Sequence, residues 1–125
     1  MTAPQLTVSG IVLGSPDPRA LASFYERLLG YQRTQDEPGW VKLVPPGGGP
    51  GLSFQEEAEH VPPTWPAGEG DQQMQVHLDI AVSDLDEAGS HARAAGAELA
   101  AFQPQDDVRV WIDPAGHPFC LFLNR

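Results

Sequence analysis

Apolar and polar positions alternate most regularly in Val76-His77-Leu78-Asp79-Ile80-Ala81-Val82-Ser83-Asp84. Val76, Leu78, Ile80 and Val82 fall on one face, and His77, Asp79 and Ala81 on the other, the period of a half-buried strand. The stretch runs into Asp84-Leu85-Asp86-Glu87, where an Asp N-cap is followed three residues later by a carboxylate, which predicts a helix start. Leu85, Ala88, Ala92 and Ala95 then share one face of a helix over residues 84–95 that stops at Gly96. Its small side chains allow it to lie close to a sheet. Strands are expected over residues 98–102, 108–113 and 117–123, separated by the polar turn 103–107 and by Pro114-Ala115-Gly116.

The same order occurs earlier in the chain. A strand over residues 6–13 leads to Asp17-Pro18, an N-cap with Pro at the first helical position. Leu21, Phe24, Tyr25, Leu28 and Leu29 form an apolar stripe at helical spacing, and Gly30 supplies the stop. Strands follow over residues 31–35, Trp40–Val44 and Gly51–Glu56, with the loop Pro45-Pro46-Gly47-Gly48-Gly49-Pro50 between the last two. Sliding the first unit by 67 residues places Gly10 on His77, Leu13 on Ile80 and Asp17 on Asp84. The chain therefore reads as two βαβββ units, 6–56 and 75–123, joined by a connector over 57–74 that is acidic and rich in Pro. Trp65 in that connector is expected to pack down.

With 125 residues the two units fit one domain over 1–125 with room for a sizeable core. The net charge of −10 argues against nucleic acid, whose phosphates need a basic face. No apolar run reaches membrane-spanning length, and the N-terminal stretch 1–6 carries no leader pattern, so a cytoplasmic protein without a membrane partner is expected. Cys120 is the single cysteine, which excludes an intrachain disulfide.

Candidate chemistry gathers on the polar side of the strands. His77 and Asp79 share a face, so an acid–base or ligating His77 with Asp79 as its partner is the catalytic candidate, against a core histidine and an ion-paired carboxylate. In 108–113, Val108, Val110 and Ile112 alternate with Arg109 and Trp111; in Trp40–Val44, Val41 and Leu43 alternate with Trp40 and Lys42. If the aliphatic faces pack on the helices, Trp40, Lys42, Arg109 and Trp111 line a small-molecule pocket together with Ser53, Gln55, Cys120 and Phe122. His60 and His91 are expected to be solvated, and His117 to be a turn residue. Cys120, between Phe119 and Leu121, also reads as a small buried hydrophobe.

Strand, Asp17 and Phe24-Tyr25-Glu26-Arg27-Leu28-Leu29-Gly30 resemble the opening of the vicinal-oxygen-chelate superfamily, and Asp113-Pro114-Ala115-Gly116-His117-Pro118-Phe119 resembles its closing hairpin. Leu52-Ser53-Phe54-Gln55, Pro63-Thr64-Trp65-Pro66 and His77-Leu78-Asp79 resemble its glyoxalase-like branch. The resemblance covers essentially the whole chain. It implies an α+β fold of two βαβββ modules whose curved sheets surround a cavity with the helices outside, and a homodimer. It also implies metal positions at Gly10, Ser53, His77 and Cys120. Gly10 offers no ligating atom and Ser53 a poor one, so His77 is the metal candidate in an incomplete set and no stoichiometric cofactor is expected, with a divalent metal as the alternative. The resemblance then implies small-molecule binding of the bleomycin-resistance kind; the enzyme alternative is a lyase, isomerase or dioxygenase built on His77.

Overall fold

The computed structural model describes residues 4–123; residues 1–3, part of the N-terminal stretch read for a leader, and 124–125 lie outside the described residues. The chain runs β1 (Gly10–Ser15), α1 (Pro18–Leu29), β2 (Gln32–Glu37), β3 (Trp40–Val44), β4 (Gly51–Glu56), β5 (Leu78–Val82), α2 (Leu85–Ala95), β6 (Glu98–Leu99), β7 (Val108–Ile112) and β8 (Pro118–Leu123). The strands form two four-stranded sheets of matching order, β1-β4-β3-β2 and β5-β8-β7-β6. In each sheet the first strand pairs parallel to the last of its unit, and the remaining pairs are antiparallel. The duplication is thus structural as well as sequential.

Both helices begin as their sequences dictate. Asp17 accepts from the Ala20 amide, and Asp84 from those of Asp86 and Glu87. Gly30 ends α1 at φ 72°, a left-handed conformation in which a Cβ would be strained. Most strand bounds fall close to the apolar pattern, but β6 stops at Leu99. Beyond it the side chain of Gln103 replaces ladder partners: its Oε1 accepts from the Val110 amide at 2.8 Å, and its Nε2 donates to the carbonyls of Val110 and Ala100. The Ala100 amide still donates to the Val110 carbonyl at 3.0 Å, but with Gln103 taking the Val110 amide and the Ala100 carbonyl the reciprocal ladder bond is lost and the strand ends.

The core is built on the helix-bearing faces. Leu21, Phe24 and Tyr25 of α1 are fully buried with Val41, Leu43 and Phe54 of the first sheet, and Tyr25 stacks on Phe54 at 5.6 Å. Ala92 and Ala95 of α2 join the same cluster with Trp111, Phe119 and Leu121 of the second sheet. The two units meet through these faces. Phe24 lies 5.9 Å from Phe119, the Tyr25 hydroxyl donates to Asp113 Oδ2 at 2.8 Å, and Arg27 donates from Nε and Nη2 to the Ala95 carbonyl. The large aromatic stripe of α1 finds its second wall on the other module, which places both helices inside the joint. Within the chain the two sheets consequently do not close on each other, and the faces away from the helices are open.

The connector lies against the second unit. Trp65 donates from Nε1 to the Phe102 carbonyl and packs on the Phe102 ring at 6.1 Å, so the indole settles on the 98–102 segment as the composition suggested it would pack down.

Candidate functional site on the open sheet face

β5 pairs with β8 so that Asp79 lies beside Cys120, and β8 pairs with β7 so that Cys120 lies beside Val110. Leu78 and Ile80 pack against the core. Alternation therefore turns Asp79 and Cys120, with His77 just ahead of β5, to the open side. There His77 Nε2 stands 3.0 Å from Asp79 Oδ1, and one ligand atom from each of His77, Asp79 and Cys120 lies within 4.8 Å of the others. The side chains of His77 and Asp79 are 36% and 61% exposed, so the group is reached from solvent. Burial, then the negative charge of Asp79 and its hydrogen bond to the thiol, together push the Cys120 thiol up to about 11. Cys120 is thus a protonated donor to Asp79 near neutrality rather than a nucleophile.

The other expected site residues fall in two further places. Trp40, Lys42, Ser53 and Gln55 share the open face of the first sheet, where Trp40 pairs with Gln55 and Lys42 with Ser53 in register. The Trp40 indole donates to Gln35 Oε1 at 2.6 Å. Arg109 and Trp111 differ from expectation. Trp111 is 4% exposed and belongs to the core, with its Cζ2 3.0 Å from where a Cβ on Gly89 would stand. It faces α2, and Arg109 of the same strand borders the same α2-side cavity. The reason is volume: a helix presenting Gly89 and Ala92 to the sheet leaves space that aliphatic side chains on β7 do not fill, and the indole fills it. Val108 and Val110 therefore take the face away from α2, where Val108 pairs with Phe122 and Val110 is nonetheless buried.

Sequence reasoning missed a polar network at the joint. Asp113, with a fully buried side chain, accepts from Tyr25 and from the amides of Ala115 and His117, and its carboxylate holds His117 Nδ1 at 2.9 Å. His117 stacks on His60 at 4.9 Å, and His60 Nε2 reaches the Ala115 carbonyl at 2.9 Å. His60 is half-buried instead of solvated, and His91 spends its Nε2 on the Leu28 carbonyl of α1. The four-residue spacing of Asp113 and His117 across a Pro-Ala-Gly turn was the available signal; nothing local marks His60. A cavity of about 550 Å³ lies at this joint between Asp17, Leu21, His60, Pro62 and Glu98, away from His77. Its histidine is already committed to the backbone, so the chemistry stays on the open face of the second sheet.

A family model described as a glyoxalase-like domain matches residues 10–122. The chain belongs to that family. A search of curated proteins finds no match. Among solved structures, a glyoxalase/bleomycin resistance protein/dioxygenase family enzyme from Burkholderia phytofirmans PsJN is 19% identical, with TM-score 0.69 over 93% of this chain and 97% of that one. FosX, a fosfomycin resistance protein from Listeria monocytogenes complexed with Mn(II) and sulfate, is 15% identical, with TM-score 0.68 over 100% and 93%. TnmS3, an antibiotic binding protein from Streptomyces sp. CB03234, is 17% identical, with TM-score 0.61 over 100% of both chains. These neighbours share the fold of the glyoxalase-like chain. No helix among its described residues is long and apolar enough to cross a membrane.

The donor set decides what metal the open face suits. Imidazole, carboxylate and thiolate together suit a borderline-soft ion such as zinc and leave coordination positions open. They do not suit a hard ion such as Mn(II), which prefers oxygen donors. Any ion would also have to displace the proton from a thiol that burial and Asp79 hold in place.

Proposed function

We propose that this glyoxalase-like protein binds and sequesters a small amphipathic molecule, and that a homodimer forms the binding cavity. The observation carrying this reading is the outward orientation of both open faces. One has His77, Asp79, Cys120 and Phe122; the other has Trp40, Lys42, Ser53 and Gln55, with Val12 half exposed beside Ser53. A single chain leaves each face as half of a pocket. Laying the first-sheet face of one copy against the second-sheet face of another encloses both halves, satisfies the two-fold symmetry usual for dimers and removes Val12 from water. The aromatic wall comes from Trp40 and Phe122, and the polar anchors from His77, Asp79 and Lys42. The resistance and antibiotic-binding neighbours are consistent with such a role.

Titration of bleomycin and of related aromatic, cationic glycopeptides by calorimetry tests the reading. Saturable binding is expected, weakened about tenfold or more by Trp40→Ala and, separately, by Asp79→Asn, since an aromatic wall and a charged hydrogen bond each contribute on that scale. Loss of affinity from both variants, although the residues sit in different modules, is the specific expectation. Binding indifferent to both would overturn it.

A second reading is favoured by the three-donor cluster. With a bound zinc-like ion on His77, Asp79 and Cys120, the open positions would suit lyase, isomerase or dioxygenase-type chemistry on an oxygen-bearing substrate. Elemental analysis showing one tightly held ion per chain, lost on His77→Ala, would move the balance to this enzyme reading.

A further inference from the structure

The helix side of the second sheet holds a separate cavity of about 280 Å³ between α2 and β7. Ser90 and Arg93 of α2 and Arg109 and Trp111 of β7 are among its walls, with Asp86 as the single carboxylate. Two guanidiniums around one small cavity are notable in a chain of net charge −10. Among the described residues, arginine–carboxylate ion pairs occur at Arg19 and Arg33; neither Arg93 nor Arg109 has one. Arg109 donates to three backbone carbonyls, those of Gln105, Asp106 and Val108, all from Nη1. That anchors the side chain while its other nitrogens stay available. Arg93 lies over the Trp111 ring, 5.4 Å from its centroid.

Trp111 supplies the independent observation. Its Nε1 is buried and has no acceptor among the described residues. A buried donor left without a partner is costly, and native structures rarely tolerate one without a reason. The edge of the ring next to that nitrogen faces α2: Cζ2 and Cε2 lie 3.0 and 3.9 Å from the position of a Cβ on Gly89, which also lines the cavity. The absent side chain at Gly89 is what lets α2 sit directly against this edge.

We propose that this cavity binds a small anion, a carboxylate or phosphate group, on the opposite side of the sheet from His77. The Arg93 and Arg109 guanidiniums supply charge-assisted donors, Ser90 a hydroxyl, and the Trp111 indole the buried N–H that gains its acceptor when the anion enters. The anion also relieves the mutual repulsion of two like charges at one cavity. Asp86 opposes binding and sets a limit on affinity. The site is independent of the open-face reading, because it uses none of the same residues.

The test follows the indole N–H resonance of Trp111 in nitrogen-15-labelled protein, assigned with Trp111→Phe, during titration with inorganic phosphate, phenyl phosphate and benzoate at fixed ionic strength. A saturable downfield movement is expected with at least one of them. Arg93→Gln and Arg109→Gln should each weaken it about tenfold, and Asp86→Asn should tighten it. Amide resonances of the first module, unchanged in these variants, establish that they fold; Arg109→Lys provides a second variant that keeps the charge but loses the fork. Tighter binding of phenyl phosphate than of inorganic phosphate would assign the site to the acid group of a larger molecule, and equal binding to the free anion. No saturable movement with any of the three, or a movement insensitive to both arginines, would overturn the proposal.

Discussion

The two modules solve the same packing problem with the bulk on opposite sides of the interface. In the first, the helix brings the aromatic rings: Phe24 and Tyr25 of α1 press into a sheet surface of Val41, Leu43, Leu52 and Phe54. In the second, the helix is a run of small residues, and the sheet brings the ring, with Trp111 rising under Gly89 and beside Arg93. Equal backbones therefore do not imply equal side-chain polarity. What α2 lacks in volume β7 must supply, and this reverses the orientation of the whole β7 strand: Arg109 and Trp111 turn toward α2 and Val110 turns to the opposite face.

Substitutions that exchange or remove bulk test this contrast, and the largest effect belongs to Trp111. Trp111→Ala should destabilise the fold by about 3–5 kcal/mol, the range for emptying a large buried site. Denaturant unfolding measures it, and a loss below about 1 kcal/mol would return the indole to the surface. Next is the joint. Tyr25→Phe deletes the buried hydroxyl that donates to Asp113 and should cost about 1–3 kcal/mol.

Tyr25 also carries a pH signature. Burial, then the charge and hydrogen bond of Asp113, raise its hydroxyl well above the ordinary tyrosine value. The folded state thus holds this proton more tightly than the unfolded chain does. The associated stability is present below about pH 10, the ordinary tyrosine value, and is lost as pH rises above it. Alkaline unfolding titrations should show a steep fall in wild type that Tyr25→Phe flattens.

Gly89→Ala is smaller and its sign is informative. In an open helix position alanine would stabilise by up to about 1 kcal/mol. Here the new Cβ would meet Trp111 Cζ2 at 3.0 Å, against a buried ring, so a net loss of about 1 kcal/mol is expected. A gain in stability would mean that the ring can yield. His91→Ala removes one exposed contact to the Leu28 carbonyl and should stay within about 0.5 kcal/mol of wild type in the same unfolding assay.

These contrasts also explain what was legible in the chain. The duplication, both N-caps, both glycine stops and the bounds of Trp40–Val44 and Gly51–Glu56 are local properties, written in capping chemistry and in alternation. Alternation also established that Arg109 and Trp111 share a face, and that His77 and Asp79 share another. It does not say which face is inward when both carry apolar area. In β7 that choice depended on the volume of a helix twenty residues away, a non-local quantity. The proximity of Cys120 to Asp79 required the β5–β8 register. The stacking of His60 on His117 required the path of the connector, whose acidic, Pro-rich composition suggested solvent for His60. The outward turn of both open faces follows from α1 finding its second aromatic wall, Phe119, on the other module.

That outward turn is the foundation of the proposed dimeric binding protein. Val12 is 50% exposed on the open face of the first sheet, beside Ser53 and away from the core. Sedimentation equilibrium of wild type and Val12→Arg at micromolar concentration is the direct measurement. A dimer that becomes a folded monomer on placing charge at Val12 is the predicted result, since desolvating an unpaired guanidinium at that contact is costly. A wild-type monomer, or a dimer unaffected by the arginine, would contradict the shared cavity.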